Sequence, residues 1–161
     1  MRRAVLATST VIIALVAMAS VAIGDSTESR DAYKEVVEPI CKTNKEASKR
    51  ILTGVESLVK KDKLKQAGAR FASAAAALEK AEKQLAAVAP PPEDAAKIGK
   101  WLSGVKGEVS LMKTIAAKFK AGNKSKGSSL VVKLKNNANK TNNLVLSFRF
   151  NYCKIDPSQF H

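Results

Sequence analysis

Apolar residues recur at helical spacing in four stretches of this chain. In the first, Ile40, Asn44, Ala47, Ile51, Val55 and Leu58 follow one another at steps of three and four, which predicts a helix from about Pro39 to Lys60. Pro39 suits the first turn, where a missing N–H costs nothing. The residues before it, "STESRDAYKEVVE", are open to two readings, a short turn of helix or a loose arm. In the second stretch Leu64, Ala67, Phe71, Ala74, Leu78, Ala81, Leu85 and Val88 alternate steps of three and four, a sustained seven-residue repeat. Asp62 stands where a side-chain oxygen caps a helix start, and "APPPED" stops the helix because prolines supply no donors. A third helix is predicted from about Glu93 to Lys120, with Ile98, Leu102, Val105, Val109, Met112, Ala116 and Phe119 inward and Trp101, Leu111 and Ile115 widening the stripe. The turn formers of "AGNKSKGSS" end it. A fourth helix carries Val131, Leu134, Ala138, Thr141, Val145 and Phe148, although its polar run "NNANKTNN" has poor intrinsic helix preference.

Four long amphipathic helices with short connections predict an all-α fold, an antiparallel up-down-up-down four-helix bundle. A chain of 161 residues holds one such domain. The N-terminus is set apart from it. "MRR" followed by the apolar run "AVLATSTVIIALVAMASVAIG" has the layout of a secretory signal peptide. The domain assignment is therefore a signal peptide over residues 1–24, with cleavage after Gly24 or a few residues earlier, and a single helical domain over 25–161. The alternative is an uncleaved anchor, since Ala4 to Ile23 is about long enough to span a bilayer. Either way the expected location is secreted, or periplasmic and cell-envelope. Export permits the two cysteines, Cys41 and Cys153, to persist as a disulfide. In an up-down-up-down bundle the start of helix one and the end of helix four share one end of the molecule, so this pairing is geometrically allowed. The tail "FNYCKIDPSQFH" then folds over that end, with Phe150, Tyr152 and Phe160 as a cap.

Chemical motifs are absent. The single histidine is the terminal His161, and no zinc spacing, calcium loop, phosphate loop or nucleophile elbow occurs, so no catalytic residue, metal site or cofactor is assigned. Glu35 with Glu38, and Glu79 with Glu82, share helix faces but sit among lysines as solvated surface. Asn44 on an apolar stripe reads as a register-setting polar residue. Charge is the unusual property. The full chain carries +14, and from Asp25 onward 26 Lys and Arg stand against 14 acids. Residues 93–161 hold 13 bases and 4 acids, and none of the acids falls between Val109 and Ile155. Lys106, Lys113, Lys120, Lys124, Lys126, Lys133 and Lys140 form the candidate anion-binding patch, a one-signed surface of the kind that attracts an anionic polymer or membrane surface. A specific nucleic-acid partner is disfavoured, because no aromatic side chain is interleaved for base stacking. The second candidate site is an apolar pocket near Trp101, Phe119 and Phe148, suited to a lipid or haem-like ligand. The sequence names no oligomeric state. Two glycosylation sequons, at Asn123 and Asn139, read as chance, the second because Thr141 lies on the apolar stripe.

In "PICKTN", "ARFASAAAALEKAEKQLAAVAPPPEDAAKI", "KWLSGVKGE" and the closing F-x-x-C, the chain resembles uncharacterised small secreted helical proteins of bacteria. The resemblance implies an exported four-helix bundle and transfers no catalytic residue and no ligand. A weaker similarity, to secreted haem-carrying helical proteins held by one disulfide, implies an iron ligand. Without an internal histidine, Tyr33 or Tyr152 would have to serve.

Overall fold

A computed structural model describes residues 26–160 of the chain, with side chains from residue 28 onward; the predicted signal segment lies outside them. Four long helices carry the fold: α1 (Ser26–Leu52), α3 (Leu64–Ala86), α4 (Ala95–Lys120) and α5 (Lys124–Leu144), with a short α2 (Val55–Lys60) after α1. Single 3-10 turns stand at Pro92–Asp94, Leu146–Phe148 and Pro157–Phe160, and the described residues contain no strand. Among them, no helix is long and apolar enough to cross a membrane.

The first helix differs from its prediction in start, end and face. It begins at Ser26, so Pro39 lies inside it on an exposed position, removing only the donor for the Glu35 carbonyl. Tyr33, Val37, Cys41, Ser48 and Leu52 are buried, whereas Ile40, Asn44, Ala47 and Ile51 are half-buried. The stripe is thus rotated by about one residue, because Tyr33 and Val37 extend it N-terminally. Gly54, at φ +77°, ends α1 in the left-handed conformation that favours glycine. The freed carbonyls of Ile51 and Thr53 accept from the Arg70 guanidinium of α3.

The heptad stripe of α3 packs as its spacing predicts, but Asp62 does not cap it. Asp62 has positive φ, Lys63 holds the cap position, and the Asp62 carboxylate accepts from Lys124 Nζ at 2.8 Å. Small residues let the helices approach. A β-carbon on Gly68 would meet the Ala116 carbonyl oxygen at 2.7 Å and Lys120 Cγ at 2.8 Å. Because a backbone carbonyl is among the obstacles, Gly68→Ala is expected to destabilise by about 1–3 kcal/mol, read as a lowered thermal midpoint at unchanged helicity. The last helix starts earlier than its apolar stripe, at Lys124, because Asn123 caps it by accepting from Lys126 N at 3.0 Å.

Cys41 and Cys153 are joined, with Cα atoms 4.8 Å apart. Cys41 lies near the middle of α1, not at its start, and the tail does not cap an end. Phe150 is buried beside Trp101 and Phe148, at ring-centroid distances of 5.7 and 5.2 Å. From there the tail runs along the helices to the buried Phe160, which lines one cleft with Val55, Phe71 and Phe119. Trp101 and Phe119 are roughly 27 Å apart along α4 at 1.5 Å per residue, which sets the length the tail covers. Side chains on both flanks hold its backbone. Glu38 of α1 accepts from the N–H groups of Asn151 and Tyr152, at 2.5 and 2.8 Å. Asn142 of α5 accepts from Ile155 N at 2.9 Å and donates to its carbonyl at 2.7 Å. The final turn, Pro157–Phe160, packs on both α5 and α1, so the tail acts as a strap between them.

Candidate functional site

Six of the seven candidate lysines form two rows. Lys106, Lys113 and Lys120 repeat every seven residues on α4, about 10 Å per step. They lie toward α3, since Lys113 Nζ pairs with Glu79 at 3.0 Å and the Lys120 stem lies beside Gly68. Lys126, Lys133 and Lys140 repeat likewise on α5. They flank the α4 side, because Asn137, which lies between Lys133 and Lys140 on the same side of the helix, donates to the Gly104 carbonyl at 3.2 Å. Between the rows, α4 presents exposed Ser103, Ser110 and Thr114, the latter two bonded back to their own helix. Lys124 stands apart at the α4–α5 turn, paired with Asp62. Of the seven lysines, Lys113 and Lys124 are thus in ion pairs, and no ion pair is formed by the other five among the described residues.

Beneath this face lies a residue whose burial was not predicted. Glu108 is 0 % exposed in the α4–α5 seam. Asn137 donates to its Oε1 at 3.3 Å, while Oε2 is buried with no hydrogen-bond partner. Burial pushes the carboxyl up to about 8, partly offset by Thr141 and Asn137, so it is mostly protonated at neutral pH. Glu108 falls midway between Trp101 and Ile115 at steps of seven, so the heptad spacing that marks those two as inward marks it as well. The second buried acid, Asp94, is paired. The Arg30 guanidinium donates to its two oxygens at 2.5 and 3.0 Å, and Lys97 lies 3.5 Å away. The hydrogen bonds from Arg30 hold the Asp94 carboxyl below the usual carboxylate range against the cost of burial.

The predicted apolar pocket is not assembled. Trp101, Phe119 and Phe148 are each at most 5 % exposed, and Trp101 and Phe119 lie far apart on α4. Phe148 and Trp101 pack on Phe150, whereas Phe119 packs on Phe71. The cleft at Phe119, closed in part by Phe160, is about 190 Å³, below the roughly 300–1,000 Å³ of ordinary ligand pockets. The two tyrosines proposed for iron also lie apart. Tyr33 is buried against Phe148, with its hydroxyl pushed up to about 12 by burial, whereas Tyr152 is at the surface under Lys42 and Lys45. Among the described residues no three His, Cys, Asp or Glu side chains form a metal-holding group.

Comparison with protein families, curated proteins and solved structures finds no match for this chain.

Proposed function

We propose that the protein is a noncatalytic, exported bundle that binds an anionic envelope polymer, or an anionic surface, through the lysine face of α4 and α5. The pairings Glu79–Lys113, Arg70–Ile51 and Gly104–Asn137 support an antiparallel, up-down-up-down course for the four long helices. One observation carries the functional reading. The only carboxyl within α4 and α5 is Glu108, which is fully buried and mostly neutral, so nothing on these two helices offsets the exposed lysines. Such a surface raises the local concentration of anions and speeds their association at low salt. Ions screen it within about 10 Å at 0.1 M. The disulfide is consistent with export. The alternative of an apolar carrier has less support, since its three aromatic residues are separated and closed by side chains.

Retention on immobilised polygalacturonate tests the proposal. Replacing Lys106, Lys120, Lys133 and Lys140 with Gln is expected to move elution to clearly lower salt. Replacing the paired Lys113 and Lys124 is expected to do less, because their charges are already partly satisfied. Equal elution of the wild type and the fourfold variant would overturn the assignment.

A further inference from the structure

A separate cleft of about 360 Å³ lies between α1 and the tail. Its floor is the buried Leu52. One wall is Lys45 and Lys49, one turn apart on α1, and the other is Asp156, Ser158 and Gln159 of the tail; Thr53 and Gly54 close the end. The side chains of Lys49, Ser158 and Gln159 make no hydrogen bond or ion pair among the described residues, while Lys45 Nζ lies 5.8 Å from the Tyr152 ring centre. Asp156 is anchored, accepting from Ser158 N at 2.9 Å. Two ammonium groups on one side can fix an acid group. A carboxylate, a hydroxyl and an amide on the other match the donors and acceptors of a polyol. The volume is that of a small-ligand site, and its polar walls suit a hydrophilic occupant.

We propose that this cleft binds a sugar carrying one acidic group, as a free molecule or as the end of a longer chain. None of its residues belongs to the lysine rows, so the inference stands or falls apart from the polymer reading.

Calorimetric titration of the oxidised protein tests it, using glucuronate and glucose 6-phosphate as probes and methyl glucoside, acetate and inorganic phosphate as controls. Saturable one-to-one binding of at least one acidic sugar is expected, about tenfold or more tighter than each control. Glucuronate against glucose 6-phosphate separates a carboxylate from a phosphate as the acid. Lys45→Gln with Lys49→Gln is expected to weaken that binding about tenfold, at unchanged circular dichroism. Ser158→Ala with Gln159→Ala is expected to weaken the acidic sugar but not acetate. Lys133→Gln with Lys140→Gln is expected to change nothing here, which separates this result from the polymer assay. Three results would overturn the proposal: no saturable binding of either acidic sugar at millimolar concentration, binding no tighter than acetate or phosphate, or full affinity in the folded Lys45/Lys49 variant.

Discussion

Replacing Cys41 and Cys153 together with serine is expected to lower the free energy of unfolding by about 4 kcal/mol, the chain-entropy value for so long a loop less some native strain. The bridge spans 112 residues of sequence, so it removes a large set of open conformations from the unfolded chain. That loss approaches the whole net stability of a small domain, which is of order 5–15 kcal/mol. The folded state changes less. Glu38, Asn142 and buried Phe160 still hold the strap to α1 and α5, so helical circular dichroism should persist while the denaturant midpoint falls. Trp101 adds a local signal, because Phe150 packs against its ring and leaves with a released tail. A midpoint unchanged by the double substitution, or by reductant on the wild type, would show that the strap needs no covalent pin.

The second large effect is a dependence of stability on pH that one residue carries. Glu108 has its folded pKa raised from 4.5 to about 8. The folded state therefore holds a proton that the unfolded chain releases at lower pH. Its contribution is fully present below the unfolded value and falls as pH rises to about 8. At about 1.4 kcal/mol per pH unit the span corresponds to at most roughly 5 kcal/mol. Glu108→Gln keeps an oxygen for Asn137 and removes the ionisation. Its stability should be nearly flat from pH 5 to 9, crossing that of the wild type and exceeding it at alkaline pH. Asp94 acts in the opposite sense, because its folded pKa is lowered by Arg30, so its contribution is lost only in acid, below the ordinary carboxylate range. Urea titrations at several pH values separate the two. Parallel curves for the wild type and Glu108→Gln would contradict the burial of an ionisable carboxyl.

The long helices were legible because a buried stripe leaves a period of three and four in the sequence, and the stripes of α3 and α4 survive in the packed core. The first helix was misplaced where that signal thins out. Tyr33 and Val37 sit among charged residues, so the stripe they share with Cys41 yielded to the neighbouring, more apolar one through Ile40 and Ile51. The strap was not legible as such. It has no helical period, and what positions it is a set of side-chain hydrogen bonds, some linking residues more than a hundred positions apart, as between Glu38 and Tyr152. The lysines of the patch, all but Lys106, were legible from the acid-free stretch between Val109 and Ile155. Their partial neutralisation by Glu79 and Asp62 was not, since those partners come from α3 and the turn that precedes it. Glu108 was hidden by its type, as a carboxylate at an inward position is read as surface unless the position is weighed above the charge.

The most direct test of the account is to map, by amide chemical-shift perturbation, where a linear acidic polysaccharide meets the folded protein at low salt. Shifts are predicted along Lys106, Lys113 and Lys120 and along Lys126, Lys133 and Lys140, fading together as salt is raised. Perturbations confined to α1, or none in the two rows, would contradict it.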